Sequence, residues 1–475
     1  MRFRAYFGAA APPIVRVDIH GPQGERIDYF FLTTGTSGSA DGYHRWAYDL
    51  ATGYYRLRFA ALSAEGETID LGTFRHAVYH PRDRQAEPED VAALPATAAR
   101  NDLTVSVSGG TVTASGLPAG AYSLAVHSRS VTGEGRTVYR EAYAVGTPVY
   151  RDTLFYDGTL TDPATDEPLA VNLLPVFDTR TLELYFSKSA PEGNFQLTMP
   201  RFTGERTVQV QGLGDEAIRA RWSPPVMEAI TEQPPRTAAV VQYLDLSHRR
   251  RKIYQLYGGV ETPLDGPAGT PEVRTLVPNK AYDVQDYQNF PDMLTFFGEV
   301  AGELRYRRRR GELSARLYNA PNQRYFTGTP LFIVNGRLTR DADYVAALPP
   351  ANVERLAYYY DNRQLRRDFP ALGAQGVVQI DLLRDDEKFP AADAANLLTV
   401  RGLQAGQAFV PASDDRPRLS PVLLYVSGRT PGGTQKWELP STDDPGTYEV
   451  VLLVQDEGSG KVSTGRATVD LAASR

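Results

Sequence analysis

Five arginines crowd one short stretch of the chain, at Arg305, Arg307, Arg308, Arg309 and Arg310. Guanidinium groups bind phosphates and carboxylates strongly, so this stretch could contact an anionic partner. A glycine and a strand-like alternating segment follow, which favours an exposed hairpin edge whose positive charge protects it from unwanted pairing. The hairpin edge is the simplest interpretation. An acidic protein, a lipopolysaccharide or a nucleic acid bound by the same arginines are the alternatives.

Residue types that carry catalysis or bind metals are scarce. The chain has no cysteine, and its six histidines are dispersed, so thiol chemistry, zinc knuckles and iron–sulfur clusters are excluded. No nucleophile elbow, zinc-protease helix or phosphate-binding glycine loop occurs. The loop at 161–167 contains three carboxylates but lacks the ligand spacing and central glycine of a calcium loop, so we interpret it as a solvated turn. The sequence predicts a non-enzymatic protein with no cofactor and no metal site.

Composition favours strands joined by turns. The chain contains 41 glycines, 34 prolines and 27 tyrosines, a balance typical of β-rich proteins. Its 475 residues correspond to about three to five domains. The formal net charge of −6 argues against a general nucleic-acid binder. We therefore expect a mainly β, multidomain protein.

Hydropathy bears on where the protein resides. Its uninterrupted apolar runs are only a few residues long, so we expect no transmembrane helix. The first residues lack the continuous apolar segment of a secretory signal and pass at once into alternation. Either the protein is cytoplasmic, or a signal peptide preceded this numbering and was removed.

Alternating patterns and turn residues divide the chain into successive segments. A glycine followed closely by tyrosine opens strands at 53–57, 120–124 and 446–450, which indicates one device reused in related sandwiches. An apolar pattern at 290–300 predicts a short helix, so the fourth unit is mixed α/β. The predicted segments are a β-sandwich at 1–82, a second β-sandwich segment at 101–147, a third sandwich at 148–215, an irregular linker with a possible helix (243–257) at 216–276, an α/β domain at 277–388, and a C-terminal β-sandwich at 389–475.

Several motifs resemble domains of known envelope proteins. Residues 53–58 (Gly-Tyr-Tyr-Arg-Leu-Arg) look like a macroglobulin-type strand, and the pattern at 158–169 resembles a carboxypeptidase-regulatory-like sandwich. The segments at 278–282, 330–336 and 353–356 are similar in order to the plug of TonB-dependent receptors. The chain thus resembles Bacteroidota envelope proteins that combine these modules. Its predicted fold class is tandem immunoglobulin-like or macroglobulin-like sandwiches plus one small α/β plug-like domain.

The resemblance implies a function and a location. It suggests a periplasmic or outer-membrane-associated interaction protein that docks on an outer-membrane β-barrel transport or secretion assembly. The candidate contacts are the five arginines together with Asn335 and Gly336, which form a tight-turn signal after an apolar strand. The chain has no following barrel, so it would not itself be the transporter. The alternative is a cell-surface adhesin or fibre subunit built from tandem sandwiches.

Overall fold

A computed structural model describes residues 2–7, 11–35, 38–47, 49–83, 101–128, 149–213, 217–257, 273–287, 290–309, 312–405 and 417–472. The strands are β1 (Arg2–Tyr6), β2 (Ile14–His20), β3 (Arg26–Thr33), β4 (Ser39–Tyr43), β5 (Gly53–Leu62), β6 (Thr68–Val78), β7 (Thr104–Ser108), β8 (Thr111–Leu117), β9 (Gly120–Ser128), β10 (Leu154–Thr161), β11 (Leu174–Asp178), β12 (Leu184–Ser187), β13 (Asn194–Met199), β14 (Glu205–Val210), β15 (Arg219–Trp222), β16 (Lys280–Asp283), β17 (Leu304–Arg309), β18 (Glu312–Asn319), β19 (Arg324–Tyr325), β20 (Leu331–Val334), β21 (Arg337–Thr339), β22 (Val353–Tyr359), β23 (Val377–Leu382), β24 (Leu397–Arg401), β25 (Val422–Thr430), β26 (Gly433–Glu438), β27 (Gly446–Asp456) and β28 (Val462–Leu471). The α-helices are α1 (Ala238–Leu256), α2 (Met293–Glu299), α3 (Ala342–Ala347), α4 (Asn362–Asp368) and α5 (Ala391–Ala394).

The chain is mainly β, as the composition predicts, and its sheets are almost entirely antiparallel. It divides into two compact units, each assembled from separated stretches of sequence. Unit 1 comprises Met1–Asp152, Pro225–Ala268 and Leu403–Arg475, and unit 2 comprises Thr153–Pro224 and Gly269–Gly402. The insertion of unit 2 segments into unit 1 is a feature that local sequence patterns do not reveal.

The first sandwich of unit 1 packs the sheet β3-β2-β5-β6 against the pair β1-β4. Its hydrophobic core is formed by Val17, Ile19, Phe30, Leu32 and Leu57. Strand β2 is buried on both faces, not on one face as its alternation predicts. The second face carries polar residues that are equally buried, namely Arg16, Asp18 and His20.

The second sandwich of unit 1 combines strands from distant parts of the chain. One sheet has the order β25-β9-β27-β28 and the other the order β26-β8-β7. Strand β9 lies between β25 and β27 along nearly its whole length. This pairing corrects the prediction of one sandwich segment at 101–147 and another at 389–475, because β7, β8 and β9 alone could not cover the apolar faces that the C-terminal strands bury.

The repeated glycine–tyrosine device fixes the start of two strands. The Tyr55 hydroxyl donates to the carbonyl of Ala51 at 3.0 Å, and the Tyr448 hydroxyl donates to the carbonyl of Asp444 at 2.9 Å. Both bonds reach four residues back, as in the tyrosine corners of Greek-key sandwiches. Tyr122, in the third copy, instead accepts a long bond of 3.4 Å from the indole of a tryptophan. The shared sequence pattern therefore gives the same corner twice, once in each sandwich of unit 1.

Removing the corner hydroxyl tests this role. Tyr448→Phe and Tyr55→Phe are each expected to lower the free energy of unfolding by about 1–2 kcal/mol, since a backbone carbonyl loses its donor. Tyr122→Phe is the matched control and should change stability by less than about 0.5 kcal/mol. Urea unfolding followed by the fluorescence of Trp437 or Trp46, one in each sandwich, measures the effect. Equal losses in all three variants would contradict the corner assignment.

Unit 2 begins with a sandwich that also draws on a distant strand. Its sheets have the orders β13-β10-β15 and β12-β11-β14-β24. Strand β24 follows the α/β domain in sequence and pairs with β14 from Glu205 to Gln209. The sandwich predicted at 148–215 is therefore incomplete without β15 and β24, and the α/β domain is inserted between those two strands.

The α/β domain is built on a five-stranded sheet of order β16-β22-β23-β20-β21. Strands β20 and β23 are parallel, and the other pairs are antiparallel. Hydrophobic residues cover both faces of the sheet. The helix predicted at 290–300 is α2, which Asp292 caps by accepting a hydrogen bond from the backbone of Thr295. A separate small sheet, β17-β18-β19, packs beside this core.

One buried side chain joins the sandwich of unit 2 to its α/β domain. Gln209 on β14 is fully buried, and its amide nitrogen donates to the carbonyl of Leu338 on β21 at 2.6 Å. The Leu338 backbone nitrogen donates to the amide oxygen of Gln209, also at 2.6 Å. The side chain thus occupies the place of a neighbouring strand at the edge of the five-stranded sheet.

Helix α1 is longer than the predicted segment of 243–257. It begins at Ala238 because Thr237 accepts a hydrogen bond from the backbone of Val240 and caps the first turn. Its last turns contact the second sandwich, where Arg250 pairs with Asp444. Among the residues that the structure describes, no helix is long and apolar enough to cross a membrane.

Candidate partner-binding site

The arginine-rich stretch forms the first strand of the small sheet. Strand β17 pairs with β18 from Leu304 to Arg309, and β18 continues into a short pairing with β19. On the inner face, Leu304 and Leu317 are buried against the core of the α/β domain. Tyr306 stacks on Phe297, with ring centroids 5.3 Å apart. Because side chains alternate along a strand, the residues between these buried ones lie on the opposite, outer face of β17 and β18.

The outer face presents three arginines close together. Arg305 lies directly opposite Arg316, and Arg307 lies opposite Ser314. All four residues are exposed. No ion pair to Arg305, Arg307 or Arg316 is found within the described part of the chain. Like charges directly opposite one another destabilise an antiparallel pair of strands. An anionic group bound to both arginines would offset this repulsion.

The acid nearest these arginines along β17 is already engaged. The ammonium of Lys280 lies 2.5 Å from one oxygen of Glu303, and the Tyr282 hydroxyl donates to the other at 2.8 Å. Burial opposes ionisation of Glu303, but these two hydrogen bonds hold the pKa of its carboxyl below the ordinary value. The hydrogen bond to Glu303 correspondingly raises the pKa of Lys280. Glu303 therefore leaves the charge of Arg305 uncompensated.

A pair of tyrosines continues the outer face beyond Arg316. Tyr318 is two residues further along β18 and lies opposite Tyr325 of β19. Their ring centroids are 5.1 Å apart, with an interplanar angle of 60°. Arginine and tyrosine are the residue types most enriched at energetically important positions of protein interfaces. We call Arg305, Arg307, Arg316, Tyr318 and Tyr325 the arginine–tyrosine face.

The structure separates the predicted arginines. Arg308 is exposed but lies opposite Leu313, so it alternates away from the arginine–tyrosine face. Arg309 ends β17 opposite Glu312. Arg310 lies outside the described residues. Of the five predicted arginines, Arg305 and Arg307 are thus the two that the structure places together with the tyrosines.

Asn335 and Gly336 belong to a different sheet from the arginines. They form the turn between β20 and β21, with φ angles of 46° and 79° as a two-residue hairpin of this kind requires. The Asn335 side-chain oxygen accepts a hydrogen bond from the backbone of Leu382 at 2.8 Å. A Cβ on Gly336 would lie 1.9 Å from the carbonyl oxygen of Thr179. These contacts give both residues a structural role at the boundary with the sandwich of unit 2.

The acidic loop at 161–167 uses its carboxylates within the protein. Asp162 accepts hydrogen bonds from the backbone of Ala164 and Thr165, which is an Asx turn. Asp166 forms an ion pair with Arg219 at 2.6 Å. Across the described residues, no group of three or more histidines and acids is arranged to hold a metal ion.

Arg316, Tyr318 and Tyr325 are members of the site that sequence reasoning missed. The signal for two of them is the alternation along 312–318, which places Ser314, Arg316 and Tyr318 on one side of a strand. Tyr325 carries no such signal, because its position opposite Tyr318 depends on the turn between β18 and β19.

Comparison with known proteins gives only remote likenesses. No protein-family model and no curated protein matches the chain. A tetra-tandem repeat from the extending region of a large adhesion protein is 11% identical, with 100% of this chain and 95% of that chain covered and a TM-score of 0.14. Trypsin-activated alpha-2-macroglobulin from Escherichia coli is 9% identical, with coverage of 100% and 40% and a TM-score of 0.22. The native conformation of the Escherichia coli alpha-2-macroglobulin is 11% identical, with 100% of this chain and 39% of that chain covered and a TM-score of 0.23. The chain thus spans about 40% of the length of these macroglobulins.

Proposed function

We propose that this chain is a non-enzymatic interaction protein that binds an acidic surface of a partner protein through its arginine–tyrosine face. The observation that carries the proposal is the exposed, directly opposed pair Arg305 and Arg316, for which the described residues supply no counter-charge. Tyr318 and Tyr325 extend the face with aromatic area of low conformational freedom. Such a face gains both electrostatic attraction and buried contact when it meets a carboxylate-rich surface.

A protein partner fits this face better than a nucleic acid does. The chain carries a net charge of −6, so its general field repels a polyanion outside the arginine cluster. The cluster spans only two strands of a small sheet, which matches a local acidic patch. We further propose that the partner is an outer-membrane β-barrel assembly and that the protein acts in the periplasm or at the periphery of the outer membrane, as the plug-like and macroglobulin-like motifs suggest.

Charge reversal on the face tests the binding function. The double variant Arg305→Glu with Arg316→Glu should reduce recovery of the partner from detergent-solubilised envelopes at least tenfold, since attraction becomes repulsion. Arg384→Glu is the matched control, because Arg384 is an exposed arginine of the same domain whose described contacts are to Asn352 and Asp386 and not to β17, β18 or β19. Quantitative mass spectrometry of the captured proteins is the readout, at low and raised salt. Equal recovery with both variants would refute the proposal.

Cell fractionation and surface proteolysis test the location. A periplasmic binding protein should resist protease added to intact cells and become cleavable once the outer membrane is opened. Cleavage on intact cells would favour the alternative function, a surface adhesin or fibre subunit in which the sandwiches are the working parts. Recovery only as a free cytoplasmic monomer would contradict both envelope functions.

A further inference from the structure

Four basic residues form one row across the whole first sheet of unit 1. His20 on β2 lies opposite Arg26 on β3 and opposite Arg56 on β5, and Arg56 in turn lies opposite Arg75 on β6. Directly opposed like charges destabilise neighbouring strands. Arg75, at the outer end, is exposed and forms an ion pair with Glu232 at 3.0 Å. The centre of the row is its unusual part, because there a histidine is withdrawn from water between two arginines that are only partly exposed.

Two nitrogens, one on each of the opposed residues His20 and Arg56, are buried without a hydrogen-bond partner among the described residues. His20 is fully buried, and its Nδ1 lies 3.1 Å from the carbonyl oxygen of Gly24. Its other ring nitrogen, Nε2, has no partner. On the adjacent strand, the Arg56 side chain donates from Nη2 to the carbonyl of Glu228, while its Nε is buried and unpaired. Buried polar atoms normally have partners, so a small species that bound both nitrogens would stabilise this part of the sheet.

Asp18, the buried acid on the same strand as His20, already serves several guanidinium groups. Asp18 accepts from Arg16 at 3.0 Å and from Arg26 at 3.1 Å, and a nitrogen of Arg58 lies 3.9 Å from it. Three guanidinium groups thus share one carboxylate, although Arg58 also pairs with the exposed Asp70. The interior of this face therefore carries more positive than negative charge.

We propose that a halide-sized anion binds between His20 Nε2 and Arg56 Nε, at the centre of this basic row. The Nδ1 of His20 faces a carbonyl and so carries a hydrogen, which leaves Nε2 as an acceptor in the neutral ring. Once the ring is protonated, both Nε2 and the Arg56 Nε donate, and an anion between them accepts from each. The two nitrogens are sealed from solvent, which selects an ion the size of water over phosphate or sulfate. Chloride is the physiological ion of this class.

Binding is coupled to protonation of His20. Burial lowers the pKa of the imidazole, and the charges of Arg56 and Arg26 add to that effect, whereas the Gly24 carbonyl and Asp18 oppose it. Glu228, in the segment that follows β15, accepts a hydrogen bond from the Arg56 guanidinium with its backbone carbonyl, and its charge favours the charged form of Arg56. A bound anion favours the charged imidazole, so its affinity increases as the pH falls below the ordinary histidine value of about 6.5.

Thermal unfolding of the full chain in matched salts tests the site. At pH 5.5, sodium chloride should raise the unfolding temperature by about 2–4 °C over sodium gluconate at equal ionic strength, as expected with free ion at several times its Kd. At pH 8 the difference should vanish. His20→Gln and Arg56→Gln should each abolish the difference at pH 5.5, while Arg82→Gln, at an exposed arginine that follows the same sandwich, should retain it. An equal difference at both pH values, or none at pH 5.5, would overturn the proposal.

A crystallographic measurement decides the same question independently of the variants. Crystals grown at pH 5.5 and soaked in bromide should show an anomalous difference peak between His20 and Arg56. A peak-free site that holds an ordered water would show that water satisfies the two nitrogens, and the anion assignment would then be wrong. Because this site lies in unit 1 and the arginine–tyrosine face lies in unit 2, neither result depends on the proposed function.

Discussion

Asp18→Asn is expected to lower the free energy of unfolding of the first sandwich by about 3–5 kcal/mol, the usual cost of removing one partner from a buried ion pair. Asp18 is fully buried, and Arg16 beside it is only 1% exposed. The neutral amide leaves the guanidinium of Arg16 without this counter-charge and turns a donor toward other donors.

The experiment has a reporter and a control within the chain. The three tryptophans fall in three different sandwiches, at Trp46, Trp222 and Trp437. Replacing Trp222 and Trp437 by Phe leaves Trp46 to report urea unfolding of the first sandwich. Glu65→Gln removes an exposed acid from the turn between β5 and β6 of the same sandwich, and it should cost less than about 0.5 kcal/mol. A loss for Asp18→Asn as small as that of the control would show that the buried network is not required for stability.

Gly336→Ala is expected to lower the free energy of unfolding of unit 2 by about 2–5 kcal/mol. Two effects add at this residue. Its φ of 79° costs an L-residue about 1–2 kcal/mol, and the new Cβ would lie 1.9 Å from the Thr179 carbonyl oxygen, so the backbone must shift at further cost. The turn cannot move freely, because the Gln209 side chain forms hydrogen bonds with the backbone of Leu338, two residues after this glycine.

Gly433→Ala isolates the conformational part of this loss. Gly433 has a nearly identical φ of 82°, but nothing lies within 4 Å of its Cβ position. Its substitution should therefore cost only about 1–2 kcal/mol. Chemical denaturation followed at Trp222 for Gly336→Ala and at Trp437 for Gly433→Ala gives the comparison. If the two losses are equal, the close approach to Thr179 contributes nothing.

The fold class and most strands could be predicted because they depend on local chemistry. The glycine–tyrosine pattern identified β5, β9 and β27, and the apolar pattern at 290–300 identified α2. The Asn335–Gly336 turn followed from residues that tolerate positive φ. Each of these features is determined by neighbours a few positions away.

Domain boundaries failed because strand partners are not local. Nothing in the pattern of β9 specifies β25 and β27 as its neighbours, since any strand with an apolar face would satisfy the same period. The same limit applies to β14 and β24. The sequence pattern therefore predicts separate sandwiches at 101–147 and 389–475, whereas the observed strand pairing combines strands of both segments in one sandwich.

The arginine–tyrosine face was predicted only in part for the same reason. The run at 305–310 was conspicuous because it is contiguous, and Arg316 joins it only through the register of the hairpin. The basic row of His20, Arg26, Arg56 and Arg75 is scattered over more than fifty positions and becomes visible only when four strands align. Charge accumulation across strands is a property of register, which composition does not report.

The pairing of strands that are far apart in sequence also determines the order in which the sandwiches can fold. Strand β9 emerges early from the ribosome, yet both its neighbours belong to the last part of the chain, with well over half of the sequence lying between them. Closure of so long a loop is slow, and until it happens β7, β8 and β9 keep open edges. The second sandwich therefore completes only after β25, β27 and β28 have been synthesised. Without β25 and β27, β9 would have no neighbouring strand on either side, although the strands of the unit 2 sandwich would all remain. Damage to strands after residue 421 would therefore expose the edges of a strand about 300 positions earlier.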